Sequence, residues 1–598
     1  GYGRMNMVSV EFPIIGKSIE IEKGSKISDA CEKIGHPLNL VCGGKGRCGK
    51  CEVDIQIKGT TSTVLACQVE VSDGLKVMIT GEEVEAQILT SNMLKHTNPN
   101  PSTRIVHVKH DELVTPLCGN DYETLLSVID LDLSQPPLEV LQKFSTIYHN
   151  PEGLNIILYN DEIVDILPGD STQTIYGLAF DIGSTSVVGY LFDLKTYEQV
   201  GISSRLNKQT SIGGDVISRI DYAISNPDGL RRLNKLVVES VNEIIENICT
   251  ENNIDKNNIY QASFCGNSTM QHLFLGLYPS NLGLKPFSST THRAVLTNAK
   301  SLSININSKA KINFLPLLGG FVGADTAAVL LSIQNDDKNR LVIDLGTNGE
   351  LGVGKNNDYK VTSCACGPAL EGAGLEYGMR GTKGAIERVT IANGQVFNKV
   401  IGGVKPQGIC GSGIIDIVAE LSENNIVNSG GTFIDPSKIE EPELAKRVIK
   451  TQKGKAFIIA YGEETESGEP LLMTQQDIRQ VQLAKAAIYT GCLMLIEECG
   501  LKGEDLEEIL IAGAFGNYID INKAQAIGMI PHFENVPVYS IGNAAATGSQ
   551  IFLLSREEQE ECIKLASKAE HIEIASNPNF VNGFIMNTSL KLDEEDDE

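Results

Sequence analysis

Three cysteines lie in one glycine- and lysine-rich loop, Val41-Cys42-Gly43-Gly44-Lys45-Gly46-Arg47-Cys48-Gly49-Lys50-Cys51-Glu52, and a fourth follows at Cys67. The spacing is C-x5-C-x2-C-x15-C. Four thiolates can hold a 2Fe–2S cluster, and the plant-type pattern is C-x4-C-x2-C with a distant fourth cysteine. The first gap here is one residue longer. Glycines suit such a loop, because a chain folded round an anionic cluster needs left-handed backbone positions and N–H groups near the sulfurs. Zinc is the alternative, but tetrahedral zinc sites usually pair two short C-x2-C knuckles, and here there is one. The spacing therefore favours Cys42, Cys48, Cys51 and Cys67 as ligands of one 2Fe–2S cluster.

The rest of the 598-residue chain is long enough for three or four domains. Hydrophobic residues make up 41% and charged residues 21%, as in globular proteins. No apolar run approaches the ~20 residues of a membrane span, and no signal-peptide pattern opens the chain. The 14 cysteines therefore read as reduced, cytoplasmic thiols. Acidic residues outnumber basic ones by 76 to 50, a net charge of −26. That argues against nucleic acid as a partner and suits either solubility or a partner with a basic docking face. No internal repeat is found.

In chain order, Met7 to Pro13 and Ser18 to Ile21 read as a hairpin, Ile27 to Ile34 as a short helix carrying a core Cys31, and Glu52 to Ile57 and Leu75 to Thr80 as strands. A small mixed sheet over one helix, with the cysteine loop at its edge, resembles the β-grasp fold of 2Fe–2S ferredoxins. That resemblance assigns residues 1–86. Residues 87–102 are polar, contain two prolines, and read as a linker. Residues 103–172 read as a small α+β middle domain with no motif that carries chemistry. Residues 591–598 read as a disordered acidic tail.

Residues 173–590 read as one large α/β unit. Tyr176 to Ile182 is a buried strand carrying Asp181, and it enters the turn Gly183-Ser184-Thr185-Ser186. About 160 residues later, Leu341 to Leu345 repeats the plan with Asp344, followed by Gly346-Thr347-Asn348. Two such hairpins can grip a polyphosphate from both sides: the turns donate N–H and hydroxyl groups, and the Asp carboxylates hold Mg²⁺ through water. A third stretch, Glu508 to Asn517, is a strand ending in a turn with Gly513 and Gly516, where backbone can approach the flat adenosine of ATP. Before it, Thr474 to Glu498 reads as a long capped helix with one apolar stripe that includes Cys492.

These three pieces, in this order, resemble the actin, sugar-kinase and heat-shock-chaperone ATPase superfamily. The resemblance implies two lobes with ATP between them. It puts Asp325 on the connecting helix, either to polarise the attacking water or simply as an acid at a helix start. The fold class is therefore multidomain, α/β and α+β.

The combination is sharper than its parts. A 2Fe–2S ferredoxin-like domain, a linker, a middle domain and this ATPase resemble the reductive activators of corrinoid proteins. The segments Phe264 to Met270, Ser363 to Gly372 and Gly408 to Gly413 look like that family's loops. The resemblance implies one-electron reduction of Co(II) to Co(I), coupled to ATP hydrolysis. It implies a corrinoid protein of a methyltransferase system as partner and a low-potential donor such as ferredoxin or flavodoxin. A homodimer is left open. If the Ser363 loop faces the corrinoid, its hydroxyl could take an axial cobalt position; a plain turn serine is the alternative. Cys364, Cys366 and Cys410 read as small packed residues rather than a second metal site. Three other functions stay open: an activator of another reductive enzyme, a redox-sensing ATP-binding module, and a sugar kinase with a fused ferredoxin.

Overall fold

The computed structural model describes residues 6–13, 16–34, 52–79, 95, 97–114, 119–319, 322–346, 348–513 and 519–592. Cys42, Cys48, Cys51, Thr347, Gly516, residues 87–94 and 96 of the expected linker and the tail from residue 593 lie outside the described residues.

The N-terminal unit is a five-stranded mixed sheet. Met7–Phe12 pairs antiparallel with Lys17–Glu22 and parallel with Leu75–Val77, and Glu52–Ile57 pairs antiparallel with Thr60–Leu65. Alternation buries Val8, Val10 and Phe12 on one face of the first strand, as the two-residue period of a strand requires. Helix Ile27–Lys33 covers that face with Ile27, Ala30 and Cys31.

Residues 103–170 hold a three-stranded antiparallel sheet, Thr103–Val108, Leu154–Tyr159 and Glu162–Pro168, with helices over one face. The unit is fixed to the larger one by buried polar bonds. Tyr260 donates to Asp165 at 2.7 Å, Asn313 to the Tyr159 hydroxyl at 2.9 Å, and Thr103 to Gln261 at 2.7 Å.

Residues 95 and 97–102, expected as part of a linker, run instead along the large unit. The Lys95 N–H donates to the Ser332 carbonyl and its ammonium pairs with Glu558, both at 2.8 Å. Asn100 bridges to Ser555. The polar composition that suggested a solvated linker is used for docking hydrogen bonds.

The large unit has two lobes built on one plan. In the first, strands Gln199–Leu206, Ser186–Asp193 and Tyr176–Ile182 form an antiparallel meander, and Ile259–Gly266 and Lys311–Phe314 join it in parallel. In the second, Asp358–Ala365, Asn348–Lys355 and Arg340–Leu345 form the meander, and Glu508–Ala512 and Val538–Gly542 join it in parallel. The duplication is one of topology and escaped notice in the sequence beyond the two turns. Helix Gly229–Asn252 packs on the first sheet through residues such as Val237, Val241 and Ile244. Helix Gln475–Glu498 packs on the second through the expected stripe, with Thr474 and Asp477 forming the capping box. Helices Ala324–Ser332 and Ala544–Leu554 pack against each other closely. A Cβ on Gly548 would lie 1.9 Å from the Ala328 carbonyl oxygen, so only glycine permits that contact.

The N-terminal unit touches both lobes. Glu32, buried, accepts from Arg205, from Ser203 at 3.3 Å and from Asn247 at 3.2 Å, all in the first lobe. Asp54 pairs with Lys383 of the second lobe. No helix among the described residues is long and apolar enough to cross a membrane.

Candidate nucleotide site

The first turn links Tyr176–Ile182 to Ser186–Asp193. Gly183 donates its N–H to the Ser186 carbonyl at 2.9 Å, and a Cβ there would sit 2.6 Å from that oxygen. Glycine is thus required by close approach. Ser184, Thr185 and Ser186 are half-buried at the turn. The second turn repeats the arrangement, with the Gly346 N–H donating to the Asn348 carbonyl at 3.2 Å. Gly513 ends the third strand with φ +101°. A Cβ on it would lie 2.5 Å from the Leu345 carbonyl oxygen and 3.5 Å from Asp344 Oδ1, so this turn lies directly against the second hairpin.

Four carboxyls face one another where these pieces meet. Asp181 stands at the end of the first hairpin's strand and Asp344 at the end of the second's. Asp325 lies in the first turn of helix Ala324–Ser332 and accepts from the Thr326 N–H at 2.9 Å. Glu350 is the direct cross-strand partner of Asp344. Burial raises the Asp181 carboxyl to about 7, with Asp325 adding to it and a bond from the Cys265 thiol opposing it. Burial raises Asp344 to about 8, with Asp325 and then Asp181 adding. Asp325 is raised by burial, opposed by backbone N–H bonds. Glu350 is pushed well up by burial, then by Asp325 and Asp344, while a hydrogen bond with Ser363 opposes the rise. All four are half-buried by exposure, so they line a cleft that water reaches. None of them makes an ion pair among the described residues. Such a set lacks a cation, and a hydrated divalent ion that needs few direct ligands suits it. Among the described residues no three His, Cys, Asp or Glu side chains are arranged to ligate a metal directly.

Sequence reasoning missed Glu350. The hairpin register would have found it: a turn centred on Thr347 pairs Leu345 with Gly349 and therefore Asp344 with Glu350. Ser363 needs correction. It lies in strand Asp358–Ala365, opposite Glu350, and not in a loop. Its hydroxyl hydrogen-bonds to Glu350. Cys364 and Cys366 are buried beside the second hairpin, where the Cys366 thiol donates to the Gly346 carbonyl at 3.7 Å. Cys410 is buried at the start of helix Gly411–Glu423. Of the four expected cluster ligands only Cys67 is described. It is buried just beyond strand Thr60–Leu65, and Gln68 Nε2 donates to its sulfur at 3.4 Å. A sulfur held beside an amide donor suits a thiolate ligand.

Comparison with known proteins agrees with this architecture. A family model for a 2Fe-2S iron-sulfur cluster binding domain matches residues 13–72, the RACo middle region matches 176–338, and the C-terminal ASKHA domain of RACo matches 338–597. The family boundary at 338 falls between the two lobes, so its middle region is the first lobe and not residues 103–172. A corrinoid activation enzyme, RamQ, of Eubacterium limosum is 47% identical over 97% of this chain and 98% of its own. A [Co(II) methylated amine-specific corrinoid protein] reductase of Methanosarcina barkeri is 25% identical, covering 69% of this chain and 77% of its own. The solved structure of a reductive activator for corrinoid, iron-sulfur protein superposes with a TM-score of 0.72 at 29% identity, covering 98% of both chains. With near-complete coverage at 47% identity to RamQ, the chain belongs to the family of reductive activators of corrinoid proteins.

Proposed function

We propose that this chain returns the cobalt of a partner corrinoid protein from Co(II) to Co(I), taking one electron from a low-potential donor of the ferredoxin or flavodoxin kind and coupling the transfer to ATP hydrolysis. The observation that carries the reading is the union, in one chain of this family, of a β-grasp cysteine module and a carboxyl-lined two-lobed cleft.

When bound, the 2Fe–2S group supplies a one-electron carrier, and Mg²⁺ supplies the charge that lets phosphates lie among carboxylates. Cys42, Cys48, Cys51 and Cys67 would hold the cluster. Asp181 and Asp344 would hold hydrated Mg²⁺. Gly183 to Ser186 and Gly346 to Asn348 would donate to phosphate oxygens, with Gly513 and Gly516 close to the adenosine. Burial raises both Asp325 and Glu350, and Asp325 pushes Glu350 up further, so both carboxyls favour keeping a proton more than an exposed acid does. They are therefore the candidates to orient and deprotonate the attacking water. A plant-type cluster potential sits near −400 mV, and each ~59 mV of uphill one-electron transfer costs a factor of ten. The free energy for that step comes from differing affinities of the ATP- and ADP-bound states for the partner.

The test is anaerobic visible spectroscopy of a cognate corrinoid protein with a weak donor. Co(I) should accumulate with ATP and not without it. Equal yields in both conditions would remove the ATPase from the mechanism.

A further inference from the structure

Behind the first turn lies a buried polar scaffold that none of the roles above uses. Asn207, Gln209 and Arg219 are all fully buried. The Asn207 side chain donates to the Gly183 carbonyl at 3.1 Å and its backbone N–H to the Thr185 carbonyl at 2.8 Å. Arg219 donates to the Ser184 carbonyl at 2.5 Å, to the Gly213 carbonyl at 2.9 Å and to Gln209 Oε1 at 3.2 Å. Three consecutive carbonyls of the turn are thus held from one side. Within a trans peptide the C=O and the next N–H point in opposite directions. Holding the Gly183 and Ser184 carbonyls from behind therefore turns the Ser184 and Thr185 N–H groups the other way. Among the described residues neither N–H has a hydrogen-bond acceptor. Successive N–H groups turned to one side form a nest for an anion.

The scaffold also carries an unbalanced charge. Arg219 makes no ion pair among the described residues. The carboxylate that it feels is Asp215, which is exposed and caps its own helix through Ser218. A buried guanidinium normally has a counter-ion. Here its bonds go to two carbonyls, an amide oxygen and, at 3.8 Å, the Met270 sulfur, and its charge is left for whatever enters the turn.

We infer that Arg219 is a positioning residue for the terminal phosphates of ATP: it fixes the first turn with its N–H groups outward and supplies the buried positive charge that a polyphosphate neutralises. This rests on the reading of the cleft as the ATP site. The recognition follows the number of phosphates, so the preference for ATP over ADP and AMP is the quantity that Arg219 sets.

The decisive variant is Gln209→Glu. It is nearly isosteric, keeps an acceptor where Arg219 already bonds, and gives the guanidinium a carboxylate partner, while it gives up the bond from Gln209 Nε2 to the Leu233 carbonyl at 2.9 Å. A purely structural Arg219 would be served equally well by that change. Calorimetric titration of the full-length protein with Mg²⁺ and ATP, ADP or AMP is the measurement, with the thermal midpoint and the visible cluster spectrum as folding controls. Gln209→Glu should keep its midpoint and spectrum, lose about tenfold or more in ATP affinity, lose less for ADP, and leave AMP unchanged. Arg219→Met should lose the same preference, and Arg219→Lys should recover part of it. If Arg219→Met does not fold, Gln209→Glu and Arg219→Lys carry the test, because neither leaves a hole in the core. A folded Gln209→Glu variant with the wild-type ATP-to-AMP ratio overturns the role of Arg219 alone. A wild-type protein that binds ATP no more tightly than AMP overturns the underlying site as well.

Discussion

Replacing Asp344 by Asn should make the nucleotide-free protein more stable while nearly abolishing ATP turnover. In an unfolded chain an aspartate titrates near ~3.9. In the cleft, burial and the neighbouring Asp325 and Asp181 raise Asp344 to about 8. The native state therefore keeps a proton that the unfolded chain has released. Native stability from this group is complete below the unfolded value and falls as pH rises from ~4 to about 8, then levels. Each unit is worth ~1.4 kcal/mol, which sets a ceiling of about 4 kcal/mol at pH 7. The carboxyl retains some water contact in the cleft, and the proton is shared across interacting acids. We therefore expect a realised gain of about 1–2 kcal/mol, or a few degrees in the unfolding midpoint. Asparagine carries no titrating proton, so the variant should lose that share of the pH slope between 5 and 8. Turnover should fall about 100-fold or more, since a neutral amide is a poor anchor for hydrated Mg²⁺. The assay is thermal or urea unfolding of nucleotide-free wild type and variant at several pH values, alongside phosphate release. A variant no more stable than wild type at pH 8, with the same slope, would refute the argument that burial strains these acids.

Three further outcomes are expected. Asp181→Asn should behave like Asp344→Asn, and the double variant should gain less than the two singles together, because each relieves the same repulsion; strict additivity in urea midpoints would contradict their electrostatic contact. Lys485 is buried with its pKa lowered to about 7 by burial, so the native state sheds a proton that the unfolded chain keeps, and stability from this group rises with pH between about 7 and ~10.4; Lys485→Met should remove that rise and stabilise the protein below pH 7 by about 1–3 kcal/mol, read from unfolding midpoints across pH. Arg205→Ala leaves buried Glu32 without its cation, a loss of about 3–5 kcal/mol for a buried pair, and should release the N-terminal unit from the first lobe; small-angle scattering that shows no expansion would count against this docking.

The local plan of the chain was legible without coordinates because it rests on short-range rules. Alternating apolar residues placed the strands beneath Asp181 and Asp344, and the glycine turns after them followed from steric need at Gly183. The Thr474–Asp477 capping box and the apolar stripe of its helix obeyed the 3.6-residue period. Cysteine spacing alone pointed to the cluster ligands. Other features depended on which distant segments meet, and no period encodes that. Glu350 joined the acids only through hairpin register. Ser363 became its partner because a third strand pairs there. The polar stretch around Lys95 and Asn100 turned out to be docked, since a hydrogen-bonding residue looks the same in sequence whether water or a neighbouring carbonyl satisfies it. Arg219 reads in sequence as an ordinary helix cation, 35 residues from the Ser184 carbonyl that it holds. Only the packing of that helix behind the first turn buries the charge and leaves it without a carboxylate. Sequence determined the kinds of element and the chemistry available to each; tertiary contact decided which groups are desolvated together, and desolvation is what raises the carboxyls of the cleft.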